Sequence, residues 1–135
     1  MIAEVAQAPF ESADYVDLFF DLFETSSDAV YITRAADGVL LAANESALSL
    51  FAMDTTSAYG RSTVELGIWV RPADRVEFVT ALRCTGRVRG YPVRFRNRHS
   101  EEFTLDLSAT MARLRGEDVI LGVGVLEHGG STTPR

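Results

Sequence analysis

The residues of this chain that could do chemistry are few and far apart. Cys84 is the lone cysteine, and His99 and His128 are the only histidines. A metal centre needs three or four ligands at close, regular spacing, and these residues are not grouped with carboxylates in any such pattern. Gly122 and Gly124 begin a Gly-x-Gly, but Glu127 stands where the third glycine of a dinucleotide loop belongs, and no helix follows. No Gly-x-Ser-x-Gly elbow occurs. Glu101 and Glu102 are neighbours at a strand end, so they face opposite ways and cannot serve as paired acid and base. Asp106 is the residue on which a small cone-shaped α+β isomerase or hydrolase would rest, yet its alternating surroundings put it on the solvent face of a strand. Cys84 reads as a small buried thiol at the end of a helix. The chemistry-bearing residues assemble no active site, so a non-enzymatic role is expected.

The elements that would position a binding site are clearer. Ser12 caps a first helix that runs without proline or glycine to about Glu24. Strands are expected at Ala29–Arg34 and Val39–Ala43, joined by Ala35-Ala36-Asp37-Gly38, because Asp-Gly between apolar runs marks a hairpin. Asn44 caps a short helix reaching about Phe51; the segment from Met53 to Val70 is irregular, broken by Gly60 and Gly67. Pro72 and Asp74 suit the first turn of a helix that ends before Gly86, with Val76, Phe78, Val79 and Leu82 inward. Three strands close the chain, at about 88–97, 102–112 and 118–126. The middle one alternates Phe103, Leu105, Leu107, Ala109 and Met111 against Thr104, Asp106, Ser108 and Thr110.

Charge and composition narrow the partners. The chain has 135 residues, 47% hydrophobic and 24% charged, with a formal net charge of −6. That is the composition of one ordinary globular domain. Residues 1–60 carry ten acids against Arg34, while residues 61–98 carry nine arginines against three acids. Arg94, Arg96 and Arg98 alternate with apolar residues and read as the solvent face of a strand. With no aromatic platform or recognition helix beside them, and an acidic total, nucleic acid is not an expected partner. The longest apolar runs are too short to cross a bilayer, the N-terminus is acidic where a signal peptide would be basic, and the single cysteine suits a reducing compartment. A cytoplasmic protein with no membrane contact is expected.

The first helix carries more apolar surface than one contact needs. Asp14, Asp17, Asp21 and Glu24 form an acidic stripe, and the rest is an apolar arc of roughly 200°, about twice what one packed face uses. A helix wedged deeply into its own core would account for the arc. Two contacts, one with its own sheet and one with a second copy of the chain, account for it better. Val16, Phe19, Phe20 and Phe23 are the candidate homodimer residues.

Four segments, in order, resemble a PAS (sensory box) domain. Residues 23–33, Phe-Glu-Thr-Ser-Ser-Asp-Ala-Val-Tyr-Ile-Thr, are similar to its first helix end and first strand. Residues 37–47, from Asp37-Gly38 through Asn44-Glu45-Ser46-Ala47, resemble its second strand and the asparagine that starts the next helix. Val70-Arg71-Pro72-Ala73-Asp74-Arg75 resembles the start of its connecting helix, and residues 86–123 its three-stranded end. The resemblance implies an α+β PAS fold, a five-stranded antiparallel sheet with short helices on one face and an N-terminal amphipathic helix. It implies a domain at 12–127, with an extension at 1–11 and a tail or linker at 128–135. The function it implies is a sensory or regulatory module of bacterial-style signal transduction, such as part of a sensor kinase or other multidomain regulator. Such a module binds a small molecule, dimerises, or both, and can signal to an output domain. Two positions depart from the family pattern: Leu126-Glu127-His128 replaces the usual Asp-Ile-Thr signature, and His99-Ser100 replaces an Asp-Gly turn.

The family's cofactors can be compared residue by residue. A light–oxygen–voltage receptor attacks flavin with a cysteine in Asn-Cys-Arg-Phe, which is absent here, so covalent flavin is not expected. Haem is commonly held by a histidine on the connecting helix, and none lies there. Non-covalent flavin, in a redox sensor, is the second functional reading. Trp69 stands about where some flavin-binding members place a tryptophan, although tryptophan at such a junction also serves as a packing anchor. Candidate pocket residues are Tyr31, Phe51, Met53, Trp69, Phe78, Leu82 and Tyr91.

Overall fold

The computed structural model describes residues 21–127. Residues 21–25 are the helical end of the expected first helix; its start, the N-terminal extension and the tail from 128 lie outside the described residues. Two strands follow, β1 (Ala29–Arg34) and β2 (Leu40–Ala43). Their turn is built by Asp37. Its carboxylate accepts the Val39 N–H at 3.1 Å and two N–H groups of Arg34 at 3.0 Å, and the Arg34 hydrogen bond is the main force holding it below the usual carboxylate range.

Gly38 completes that turn at φ +76°, in the left-handed region. A Cβ added there would lie 2.8 Å from Nε of Arg75, whose Nη2 donates to the Ala35 carbonyl at 2.9 Å. Gly38→Ala should therefore cost more than the roughly 1–2 kcal/mol of left-handed strain alone. Gly60→Ala, at φ +79° with open space around it, provides the comparison. Equal losses for the two variants in urea denaturation would show that Arg75 yields freely.

Asn44 caps α1 (Glu45–Leu50), and Asp54 caps α2 (Thr55–Ala58) with a reciprocal Ser57 bond. The long helix α3 (Pro72–Thr85) starts with proline and ends at Gly86, whose N–H bonds to the Leu82 carbonyl. Phe78 and Leu82 are its buried residues. Two expectations fail on this helix: Val76 is 63% exposed and Cys84 is exposed. At 100° per residue, Arg75, Phe78 and Leu82 share one face, and both Val76 and Cys84 fall on its far side.

The remaining strands are β3 (Arg87–Arg96), β4 (Glu102–Leu114) and β5 (Glu117–Leu126). The five strands form one sheet in the order β2-β1-β5-β4-β3, antiparallel throughout. The expected alternation on β4 holds: Leu105, Leu107 and Ala109 are buried in the main core with Val93, Phe95 and Ile120. Asp106 lies opposite Pro92 and Val125, half-buried, on the alternate face from Leu105 and Leu107. The β3–β4 turn is made by Asn97, whose Oδ1 accepts the N–H groups of His99 and Glu101 at 2.8 and 3.0 Å, with Ser100 at φ +66°.

Neither edge of the sheet is bare. On β2, Leu40 donates to the Arg61 carbonyl at 2.9 Å, and its own carbonyl accepts from Gly60 at 3.0 Å. Tyr59 Oη bonds both the N–H and the C=O of Ala43. On β3, Arg96 donates to the Ile68 carbonyl at 2.8 Å, and Trp69 bridges to Phe95. The upper part of β3 carries Pro92 and a bulge between Val88 and Tyr91. Among the described residues, no helix is long and apolar enough to cross a membrane.

Candidate functional site

The helices and the 62–70 segment lie over one face of the sheet and do not fill the space beneath them. A cavity of about 80 Å³ remains between β1, β2 and β5 on one side and α1, α2 and α3 on the other. Small side chains create it: Ala29, Ala43, Ala47 and Ala58 all line it and are all buried. Aromatic side chains close it, with Phe51, Trp69, Phe78 and Phe95 in its wall. Trp69 packs on Phe95 at a tilt of 54° with centroids 4.8 Å apart, and Phe51 meets Phe95 edge-on at 5.6 Å. The wall is almost wholly apolar; Thr33, Thr63, the Tyr31 phenol and the flank of Arg75 are its polar members.

Trp69 Nε1 donates to Thr63 Oγ1 at 2.9 Å, both residues being buried. Desolvation pushes the Tyr31 phenol well above its ordinary pKa, so it stays neutral. Its ring lies against Gly122 on β5, where a Cβ would overlap Cζ and sit 2.9 Å from Cε2. Burial also lowers the Arg75 guanidinium from its ordinary value, with Asp37 pulling the other way.

Of the seven candidate pocket residues, Tyr31, Phe51, Met53, Trp69 and Phe78 come together around this cavity. Leu82 and Tyr91 do not line it. Leu82 is fully buried in the packed core under α3, and Tyr91 stands behind Phe78 at 5.3 Å between ring centroids. The alanines were missed because attention to large side chains finds the walls of a cavity and not the residues whose smallness leaves it open.

The candidate dimer residues Val16, Phe19 and Phe20 lie outside the described residues. Phe23 is 7% exposed, so it is not a side chain left in water, whereas Leu22 is 70% exposed. The Phe23 carbonyl accepts from Asn44 Nδ2 at 2.9 Å. The same Nδ2 donates to the Asp28 carbonyl at 3.0 Å, and Oδ1 accepts the N–H groups of Val30 and Ala47 at 3.0 and 2.9 Å. This one amide joins the end of the first helix, the first strand and α1.

No metal-ligating cluster of three or more His, Cys, Asp or Glu occurs among the described residues. Cys84 lies at the far end of α3, exposed and away from the cavity.

No family model matches the chain, and no curated protein is similar to it in sequence. Solved structures are similar in fold. The PAS domain of an HTR-like protein from Haloarcula marismortui matches with a TM-score of 0.68 at 21% identity, covering 85% of this chain and 93% of that one. A domain of a sensory box sensor histidine kinase/response regulator from Geobacter sulfurreducens matches at 0.70 and 19%, covering 87% and 98%. A Rhodobacter sphaeroides LOV protein matches at 0.65 and 17%, covering 86% and 68%. The strand order, the helices crossing one face and the cavity beneath them agree with these likenesses: the chain has the PAS fold.

Proposed function

We propose that this chain is a sensory module of a signalling protein, without catalytic chemistry of its own, which reads a small apolar ligand in the cavity under α1, α2 and α3. The observation that carries the reading is the cavity itself: an apolar space held open by four buried alanines, where protein cores are ordinarily close-packed. The similarity of fold to domains of sensor kinases supports a signalling role. Flavin is disfavoured by size, since about 80 Å³ falls well short of the roughly 300 Å³ and more of pockets that hold drug-sized ligands. Trp69 has its N–H committed to Thr63 and its ring packed at a tilt against Phe95, the arrangement of a packing anchor.

The test is thermal stabilisation of the purified chain by small neutral apolar molecules such as hexan-1-ol, together with Ala58→Leu. Ala58 is 1% exposed and lines the cavity, so the larger side chain fills the space. Purified protein should be colourless, hexan-1-ol should raise the midpoint of the wild type, and Ala58→Leu should abolish that rise. Stoichiometric flavin in the absorbance spectrum would replace this reading with a redox sensor.

Dimerisation through the first helix is proposed on its apolar arc, now with Leu22 beside Val16, Phe19 and Phe20. Val16→Glu with Phe20→Glu should give a folded monomer by light scattering and circular dichroism. A wild type that is monomeric at high micromolar concentration would refute the interface.

A further inference from the structure

Five arginines of the described residues, Arg34, Arg71, Arg83, Arg94 and Arg113, have a carboxylate within 4.0 Å. The other seven do not, and three of these, Arg61, Arg96 and Arg98, line one polar groove of about 430 Å³. The fold brings them together from distant segments. Arg61 follows α2, Arg96 ends β3, and Arg98 lies in the β3–β4 turn, drawn against the end of α1 by its N–H bond to the Phe51 carbonyl at 3.1 Å.

The nearby acids are committed elsewhere. Asp54 is held in its charged form chiefly by the Ser57 N–H at 2.8 Å, with a smaller contribution from Arg98. Glu102 is taken chiefly by Arg94 at 2.6 Å, with a smaller contribution from Arg96, and Glu101 by Asn97 Nδ2 at 2.8 Å. Arg96 donates through Nη2 to the Val70 carbonyl at 3.3 Å, but its Nε is buried and meets no acceptor. A buried guanidinium nitrogen without an acceptor carries the desolvation cost of that group with nothing to offset it.

The groove also adjoins the apolar cavity. Met53 and Leu66 line both, so two flexible apolar side chains form a common wall between them. We infer that the groove takes the oxyanion head, carboxylate or phosphate, of a small amphipathic acid whose apolar part occupies the cavity behind Met53 and Leu66. This inference rests on the ligand-binding reading above and names the ligand's chemical class. Guanidinium groups are suited to such a head because each presents paired N–H donors in the plane an oxyanion requires.

Hexanoate, hexyl phosphate and hexan-1-ol, titrated calorimetrically against the whole chain at low salt, test the inference. At least one acid should bind about tenfold or more tightly than the alcohol, and the preferred acid distinguishes a carboxylate from a phosphate head. Arg61→Gln and Arg98→Gln, both at exposed positions, should each lower acid affinity several-fold and leave alcohol binding unchanged. Arg96→Gln should do the same more strongly, and circular dichroism shows whether it folds. Alcohol binding as tight as that of both acids, or arginine variants that leave the acids unaffected, would overturn the groove and leave the cavity reading standing. Folded protein that binds none of the three would sink both.

Discussion

Replacing Asn44 with alanine should destabilise the domain by about 3–5 kcal/mol, more than any other single polar truncation among the described residues. Asn44 is 1% exposed and makes four side-chain hydrogen bonds. Truncation removes the bonds to the N–H groups of Val30 and Ala47 and to the carbonyls of Phe23 and Asp28. A net bond is worth only about 1 kcal/mol, but each buried group left unsatisfied costs about 1–3 kcal/mol. For a domain of this size, the thermal midpoint should fall by about 10–20 °C. Ser46→Ala, which removes one bond to the Ser26 carbonyl, provides the scale and should cost about 1 kcal/mol.

Asn44→Asp separates the two halves of the network. It keeps an acceptor for Val30 and Ala47 but sets a carboxylate against two carbonyl oxygens. Protonation would restore one donor, so the folded form binds its proton more tightly than the unfolded chain does. The penalty should be fully present above the folded-state pKa and shrink as pH falls from there toward the unfolded-state pKa. A loss under 1 kcal/mol for Asn44→Ala would mean that water replaces the amide at little cost.

Gly122→Ala is the second large effect. The added Cβ would occupy the space of the Tyr31 ring, a rigid group that cannot step aside as a long flexible chain could. The expected cost is about 2–4 kcal/mol, at or beyond the upper end of ordinary overpacking, because the collision is with β1 across a paired register. Tyr31→Ala alone should cost about 3 kcal/mol, from lost burial and a larger cavity. In the double variant the collision is gone, so its loss should fall below the sum of the singles by about 1–3 kcal/mol. Urea denaturation followed by Trp69 fluorescence measures all three. Strict additivity would show that the ring does not rest on Gly122.

The local punctuation of the fold was legible residue by residue. Asp37-Gly38, Asn44, Pro72 and Gly86 each act through backbone geometry within a few positions, and each stands where its type requires. The alternation of β4 was equally plain, because a strand buried on one face records that face in every second residue. Long-range properties were not written so. Val76 and Cys84 were placed inward by their apolar character, although their angular position on α3 carries them outward. Arg96 and Arg98 read as a strand's solvent face; only the closed sheet shows Arg96 half-buried and Arg61 brought alongside from 35 residues away. The cavity was hidden for a related reason. Alanines at 29, 43, 47 and 58 look unremarkable in any helix or strand, and their shared vacancy exists only after four segments converge.

The hydrogen bonds along β2 and β3 bear on how the molecule meets its own kind. A sheet edge with free N–H and C=O groups invites another strand, and chains joined that way need not stop at two. Here the 59–62 and 68–70 segments have already taken the places that an incoming strand would use. Along the remainder of β3, Pro92 offers no N–H, the Gly90 bulge breaks the register, and Arg87, Arg89 and Arg94 set like charges along the approach. Polymerisation by strand addition is thereby closed off at both ends. Among the described residues, the sheet therefore leaves side-chain surfaces, and not strand edges, for contact between copies of the chain.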